Sequence, residues 1–371
     1  MTATSTLTVD LLNYSLNLER IREKLPASCD LMAIVKADAY GLGALPIAKR
    51  AIEVGAAMLG VASVAEGIAL REEGVEAPIL VFVQPCAADL ADAVRHDLRL
   101  TLSDLQTAER LGEIARKAKT VAEVHCEVDT GMGRQGFAVE DAPEELRDLT
   151  RISNVDIEGV FTHFASADVV DDPFTENQIR LFRQLLKQLD KNGVPYEAAH
   201  AANSAAILNY PQSFFDMVRV GLFAYGVWPG EPPEDAEPPE RVISWESSIV
   251  LIRDMPGGAS VSYGRTYRTP GPTKLASIPI GYADGYCHGL SNRGDVLVRG
   301  CRCPVRGRVT MNETLVDVAD VPGAAVGDKV TLIGRDGKEE ITVEEVANKA
   351  RTIPYEIMTG IGPAVERKYK L

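Results

Sequence analysis

The chain has 371 residues, 46% of them hydrophobic, enough for more than one domain or for one large barrel with an addition. Its net charge of −14 argues against nucleic acid or an anionic membrane surface as a partner. No window approaches the roughly 20 apolar residues of a membrane span, the first eight residues lack the basic start and apolar core of a secretory signal, and the six cysteines form no CxxC pair, so a cytoplasmic chain with reduced thiols is expected.

Apolar residues at Leu11, Leu12, Leu16, Leu18, Ile21 and Leu25 predict a helix over 10–25. The apolar run 31–35 reads as a buried strand that ends at Lys36. Small residues, Tyr40, Gly41 and Gly43 follow, and the glycines read as the turn that closes it. A lysine where a strand leaves the core is partly desolvated, and burial lowers an amine's pKa. Such a lysine suits Schiff-base formation with a carbonyl cofactor, although an ordinary surface lysine fits the local pattern as well. Tyr40 is close enough to share the same loop.

Helical and strand patterns then alternate. Helices are predicted over 44–54, 64–72, 88–94, 104–119 (with Ser103 as its N-cap), 142–150 and 175–191, with a short one over 204–208. Strands are predicted over 57–61, 78–83, 98–102, 121–128, 157–161, 196–199 and 217–220. With the opening run this makes eight strands over roughly 230 residues, the α/β pattern of a (β/α)8 TIM-type barrel. A doubly wound sheet is the alternative, but no G-x-G-x-x-G turn follows the first strand.

Residues 231–240 are acidic and proline-rich and read as a linker. Beyond it, short β-rich runs at 247–253, 274–280, 295–298, 314–318 and 329–333 are separated by Gly and Pro, and one helix is predicted at 343–351. The expected division is a barrel over 1–235 and a mainly antiparallel β-domain over 236–371.

Active-site groups in such a barrel lie at the C-terminal ends of the strands. Lys36 ends the first strand, Arg134 follows the fifth and His163 ends the sixth. Asn203 and Ser204 follow the seventh, and Arg219 lies in the eighth just before Gly221. A lysine, a flat histidine, two arginines and a small polar helix start suit an anionic aromatic cofactor. The backbone amides of Ser204 and Gly221 are expected to open helices, where phosphate is favoured. Blander readings stand beside these: a core histidine for His163, an ordinary N-cap for Asn203-Ser204, and a carboxylate pair within the Gly-rich loop for Arg134. No metal-ligand spacing is present.

Eight stretches carry a family resemblance: Val35-Lys-Ala-Asp-Ala-Tyr-Gly41, Asp129-Thr-Gly-Met-Gly-Arg134, Thr162-His-Phe164, Arg219-Val-Gly221, Val261-Ser-Tyr-Gly264, Gly281-Tyr-Ala-Asp-Gly285, Gly307-Arg-Val-Thr-Met311 and Thr352-Ile-Pro-Tyr-Glu356. With these motifs in this order, the chain resembles the bacterial alanine racemases, which use pyridoxal 5′-phosphate on a barrel-plus-β-domain scaffold. The resemblance implies that Lys36 holds the cofactor and is one catalytic base. It implies that Tyr263 of the partner subunit in a homodimer is the second base. Tyr40, Ser204, Gly221 and Tyr355 match phosphate-binding positions, and Asn203 stands among the cofactor-binding residues. His163 matches the ring-contacting histidine, and Arg219 the arginine at the pyridine nitrogen. Arg134 matches the arginine beside the substrate carboxylate, and Met311 and Tyr282 line the substrate pocket or its entrance.

Two positions depart from the family pattern. Many members carry a carbamylated lysine two residues before Asp129, where this chain has Glu127, whose carboxylate is expected to supply the negative charge directly. The family usually has Asp after the methionine, where this chain has Asn312. That change either alters substrate range or keeps the hydrogen-bond geometry. The expected function is interconversion of L- and D-alanine. The rival readings are a serine-preferring or broad-specificity racemase, a decarboxylase on the same architecture, and a non-catalytic cofactor-binding protein. Arg219 counts against a decarboxylase, and Tyr263 against a non-catalytic role.

Overall fold

The structure, a computed structural model, describes residues 5–232 and 236–371. Short apolar strands buried on both faces build its first sheet. They are Asp30–Ile34, Met58–Val61, Ile79–Val81, Arg99–Leu102, Ala122–Asp129, Val155–Phe161, Ala198–His200 and Met217–Val220. Each pairs in parallel with the next, and Met217–Val220 pairs in parallel with Asp30–Ile34. The sheet is therefore a closed eight-stranded barrel, and the doubly wound alternative falls. Closure is what brings eight strand ends to one mouth.

The helices pack outside on apolar stripes. Leu105–Ala118 buries Ala108, Leu111, Gly112 and Ala115, spaced three and four apart. Its N-cap is Asp104, whose Oδ1 accepts from the Thr107 amide at 2.7 Å; the predicted cap, Ser103, lies one residue too early. Pro173–Asn192 begins ahead of its predicted start, because Asp172 caps it and Pro173 fits the first turn, where no amide hydrogen is needed.

The second sheet is mainly antiparallel, in the order Cys301–Pro304, Asp295–Val298, Lys329–Asp336, Ile243–Ser248, Ser5–Asp10, Glu366–Lys370. A three-stranded antiparallel sheet, Leu251–Met255, Thr273–Ile278 and Thr314–Asp317, lies beside it in sequence. The single run predicted at 247–253 is two strands, Ile243–Ser248 and Leu251–Met255, which belong to different sheets.

The strand Ser5–Asp10 was not expected. It leaves the barrel half of the sequence and pairs antiparallel with Ile243–Ser248 and parallel with Glu366–Lys370. Both partners lie far from it in the sequence, so no local pattern announces them. The linker 231–240 has neither helix nor strand at its described residues; Pro233, Glu234 and Asp235 lie outside them. Its end is tied to the first helix, where the buried Asn17 accepts from the Glu240 amide at 2.7 Å and donates to the Glu240 carbonyl at 2.9 Å. Among the described residues no helix is long and apolar enough to cross a membrane.

Candidate active site

The first barrel strand does not end in a simple glycine turn. Ala37, Asp38, Ala39 and Tyr40 all have φ between 52° and 57°, so the chain makes a left-handed helical turn directly after Lys36. Such a conformation costs roughly 1–2 kcal/mol for each L-residue. Specific bonds hold it. Glu66 Oε1 accepts from the Ala37 amide at 2.8 Å, and its Oε2 accepts from the Ala62 amide at 2.7 Å. Asp38 Oδ1 accepts from the Ala44 amide at 2.7 Å. From the C-terminal strand, Arg367 NH2 donates to the Gly41 carbonyl at 3.0 Å and Tyr369 Oη to the Leu42 carbonyl at 3.0 Å. The turn places Lys36 and Tyr40 on the wall of one cavity.

That cavity, about 1130 Å³, is lined by Lys36, Tyr40, Arg134, His163, Asn203, Ser204, Arg219, Gly221 and Tyr355, among others. Nine of the residues singled out from the sequence therefore converge. Tyr263, Tyr282 and Met311 do not join them within one chain. They line a separate hollow of about 550 Å³ together with Asn312, and all three are exposed, Tyr263 at 72%. The loop carrying Tyr282 lies against the one carrying Met311: the Tyr282 amide donates to the Thr310 carbonyl at 3.0 Å and the Ala283 amide to the Met311 carbonyl at 2.9 Å. A Cβ at Gly281 would stand 2.2 Å from the Thr310 carbonyl oxygen, which is why that loop starts with glycine.

Arg219 is the buried anchor of the main cavity. Its NH1 donates to His200 Nδ1 at 2.8 Å, and its NH2 reaches the Thr162 carbonyl at 2.9 Å, the Ala201 carbonyl at 2.8 Å and His163 Nδ1 at 3.0 Å. Its guanidinium also lies over the Phe161 ring, 5.4 Å from the centroid. Burial draws its pKa down to about 10, Arg134 adds to that fall, and Glu127 opposes it; the group remains a cation at neutral pH. Burial and the charges of Arg219, Arg134 and Lys36 hold His163 well below the usual histidine range, so its ring is neutral.

Lys36 opens onto the cavity, but protein crowds it closely. Burial lowers its pKa, and the charges of Arg134 and Arg219 lower it further, against Glu66. Glu127 is 2% exposed, and its Oε1 lies 3.9 Å from Arg134 NH2. Burial raises its pKa, and Gln135, Arg134 and Arg219 oppose the rise. Gln135 was not expected: its Nε2 donates to the Glu127 carboxylate and, at 2.7 Å, to the Phe82 carbonyl. Glu66 was also missed. The Ser63-to-Glu66 capping spacing is legible, but its reach to the turn after Lys36 is not.

At the other end of the cavity, Ser204 Oγ accepts from the Gly221 amide at 2.8 Å. A Cβ at Gly221 would come within 2.5 Å of Tyr40 Oη, so the glycine keeps this end of the cavity from being filled. Tyr40 packs on Tyr225 at 4.5 Å between centroids, and burial raises its pKa, so its hydroxyl keeps a proton to donate. Ser204 opens the helix Ser204–Asn209, and Asn203 caps it by accepting from the Ala206 amide at 3.0 Å. Gly221 does not open a helix. Tight turns run from it to Gly226, which corrects that expectation. For pyridoxal phosphate the donor set fits: three cations suit its anionic groups, hydroxyls of Tyr40, Ser204 and Tyr355 suit a phosphate, and Lys36 is an amine for its aldehyde.

These charges predict how the protein reacts with pyridoxal phosphate. Capture of pyridoxal phosphate, followed by absorbance, is expected to accelerate with pH through an inflection below the usual lysine value of 10.5. In Glu127→Gln the inflection is expected to fall further, because the two arginines lose the carboxylate that compensates them. An inflection at or above 10.5 would remove the desolvated amine from the account, and an unmoved one in Glu127→Gln would remove the carboxylate.

The geometry agrees with comparisons to known proteins. The family model described as "Alanine racemase, N-terminal domain" matches residues 9–229, and "Alanine racemase, C-terminal domain" matches residues 242–369. Alanine racemase of Halothermothrix orenii is 41% identical over 362 residues, covering 98% of this chain and 96% of that protein. The structure of alanine racemase from Clostridium difficile 630 superposes with a TM-score of 0.95 at 34% identity, over 100% of this chain and 96% of that one. Alanine racemase from Bartonella henselae with covalently bound pyridoxal phosphate gives a TM-score of 0.90 at 29% identity, over 99% of this chain and 100% of that one. The chain belongs to the alanine racemase family.

Proposed function

We propose that this protein is a pyridoxal phosphate-dependent racemase that interconverts L-alanine and D-alanine. The observation that carries the reading is the convergence of Lys36, Arg219, Ser204 and Gly221 on one cavity in a chain of this family. Racemisation needs a proton taken from Cα on one face and returned on the other, and two bases on opposite faces do this without turning the substrate over. Bound pyridoxal phosphate supplies an electron-withdrawing ring that stabilises the charge left at Cα.

In our reading Lys36 Nζ serves one face. Its lowered pKa lets it shed a proton at a lower pH than a free lysine does. Tyr263 Oη, from the partner subunit, serves the other. Arg134 binds the substrate carboxylate, and Glu127, held by Gln135, offsets the charge of both arginines. Arg219 donates toward the ring nitrogen. A guanidinium does not readily surrender its proton, so Arg219 would leave that nitrogen unprotonated and restrain side reactions such as transamination. His163, whose ring is neutral, would contact the cofactor ring. Tyr40, Ser204, Gly221 and Tyr355 hold the phosphate, and Asn203 contributes by capping the helix that presents Ser204.

Tyr263, Tyr282 and Met311 line their own hollow, away from the Lys36 cavity of the same chain. Their exposure supports a homodimer in which the β-domain, which we place at 236–371 with the strand Ser5–Asp10 joined to its sheet, completes the barrel site of the partner. Tyr282, Met311 and Asn312 then shape the substrate pocket. The alanine racemase name of the relatives above favours alanine over serine, and Asn312 keeps a hydrogen-bonding side chain where the family carries Asp. A decarboxylase finds no support in Arg219. We place the protein in the cytoplasm.

The direct test is chiral analysis after incubating the purified, cofactor-loaded protein with single L-amino acids. D-alanine is expected to form fastest; D-serine forming faster would move the assignment to a serine racemase, and no D-product would end it. The shared site has its own test. Lys36→Ala and Tyr263→Phe dimers are each expected to be nearly inactive. A mixed dimer of the two has one intact site and is expected to recover about half the activity of a normal dimer; no recovery would exclude the shared site.

A further inference from the structure

The barrel interior is not apolar throughout. On the strand Ala122–Asp129, His125 shares a face with Glu123 and Glu127. His125 and His200 are both completely buried. They join Arg219 to the opposite mouth of the barrel through continuous contacts. Arg219 NH1 lies 2.8 Å from His200 Nδ1, His200 Nε2 lies 2.8 Å from His125 Nδ1, and His125 Nε2 lies 3.1 Å from Glu158 Oε2. Glu158 in turn lies 3.4 Å from Nε of Arg99, the first residue of its strand.

The two ends of this row fix the polarity of everything between. A guanidinium only donates, so His200 Nδ1 carries a lone pair and its proton sits on Nε2. That proton is given to His125 Nδ1, which must also be a lone pair, leaving the His125 proton on Nε2. An ionised carboxylate only accepts, and Glu158 receives it. Reversing either ring would set N–H against N–H in a dry interior, leaving a buried donor unpaired. Other groups hold the rings in place. Phe161 stacks on His200 with centroids 4.8 Å apart and planes within 6°. Gly159 makes room for His125, whose Nδ1 would stand 2.2 Å from any Cβ there. Burial keeps His200 well below the usual histidine range, and the positive charge of Arg219 adds to this. Burial works against ionisation of Glu158, but the hydrogen bond from His125 and the charge of Arg99 hold its pKa below the ordinary value.

We propose that Glu158, His125 and His200 are positioning residues for Arg219: a one-way hydrogen-bond row through the barrel core sets the orientation of the guanidinium from the mouth opposite the active site. What Arg219 then does rests on the racemase reading, whereas the polarity of the row does not.

The test is 15N spectroscopy of the apoenzyme labelled at histidine, with His125→Gln and His200→Gln used to assign two of the five histidines. Both rings are expected as neutral Nε2–H tautomers. Glu158→Ala removes the terminal acceptor and is expected to populate Nδ1–H at His125 and to weaken pyridoxal phosphate binding several-fold. In the loaded enzyme it is expected to lower kcat for alanine about tenfold, the scale of one buried hydrogen bond lost, with little change in KM. Glu158→Gln keeps an acceptor oxygen and is expected to restore both the tautomers and the rate. A native Nδ1–H tautomer at either ring would overturn the proposal. So would a Glu158→Ala protein whose tautomers are unchanged, whatever its activity. No racemisation by the unmutated enzyme, with both rings found as Nε2–H, would leave the row intact and fault the catalytic reading instead.

Discussion

The site depends on a strained piece of backbone. Four consecutive L-residues after Lys36 lie in the left-handed region, at an intrinsic cost of several kcal/mol. An extended exit would carry Tyr40 away from Lys36. The left-handed turn brings both to one cavity, and the molecule holds it from two directions. Glu66, from the helix that follows the strand Met58–Val61, takes the Ala37 amide. Arg367 and Tyr369, from the last strand of the chain, take the carbonyls of Gly41 and Leu42. That last strand pairs with Ser5–Asp10, so the two ends of the sequence clamp the loop that bears the lysine. The second sheet thus supports the barrel loop that bears the lysine, within one chain.

Electrostatics follows from that geometry. The charges of Arg134 and Arg219 depress the proton affinity of Lys36, and that of Arg134 depresses Arg219, with Glu127 as a buried counterweight held by Gln135. A pocket of three cations is costly when empty of anions and well suited to a phosphate, a phenolate and a carboxylate. The same burial that lets Lys36 lose its proton more readily keeps His163 neutral and Tyr40 protonated, so one environment sets several protonation states.

Much of this was legible in the sequence because barrels obey a strict rule of place. Eight apolar runs with helices between them implied closure, and closure implied that Lys36, Arg134, His163, Asn203, Ser204 and Arg219 share a mouth. Features set by contacts distant in sequence were not legible. The left-handed turn runs against the preference of Ala, Asp and Tyr, and only tertiary bonds sustain it. Ser5–Asp10 has too few residues to declare a sheet whose partners lie far from it in the sequence. Gln135 and Glu66 look like ordinary polar residues until the fold sets them against Glu127 and Ala37. Tyr263, Tyr282 and Met311 came from the family motifs alone, since nothing in their local pattern ties exposed residues of a β-domain to a barrel mouth. The expected helix at Gly221 failed because a glycine after a strand reads equally as a turn.

The central claim is that Lys36 serves one face of the substrate and Tyr263 of the partner subunit the other. The most direct measurement is exchange of the alanine α-proton in D2O, followed by 1H NMR for each enantiomer with the Tyr263→Phe enzyme. One enantiomer is expected to exchange with retention while the other hardly exchanges and racemisation is nearly lost. Equal exchange of both enantiomers, or of neither, would contradict the account.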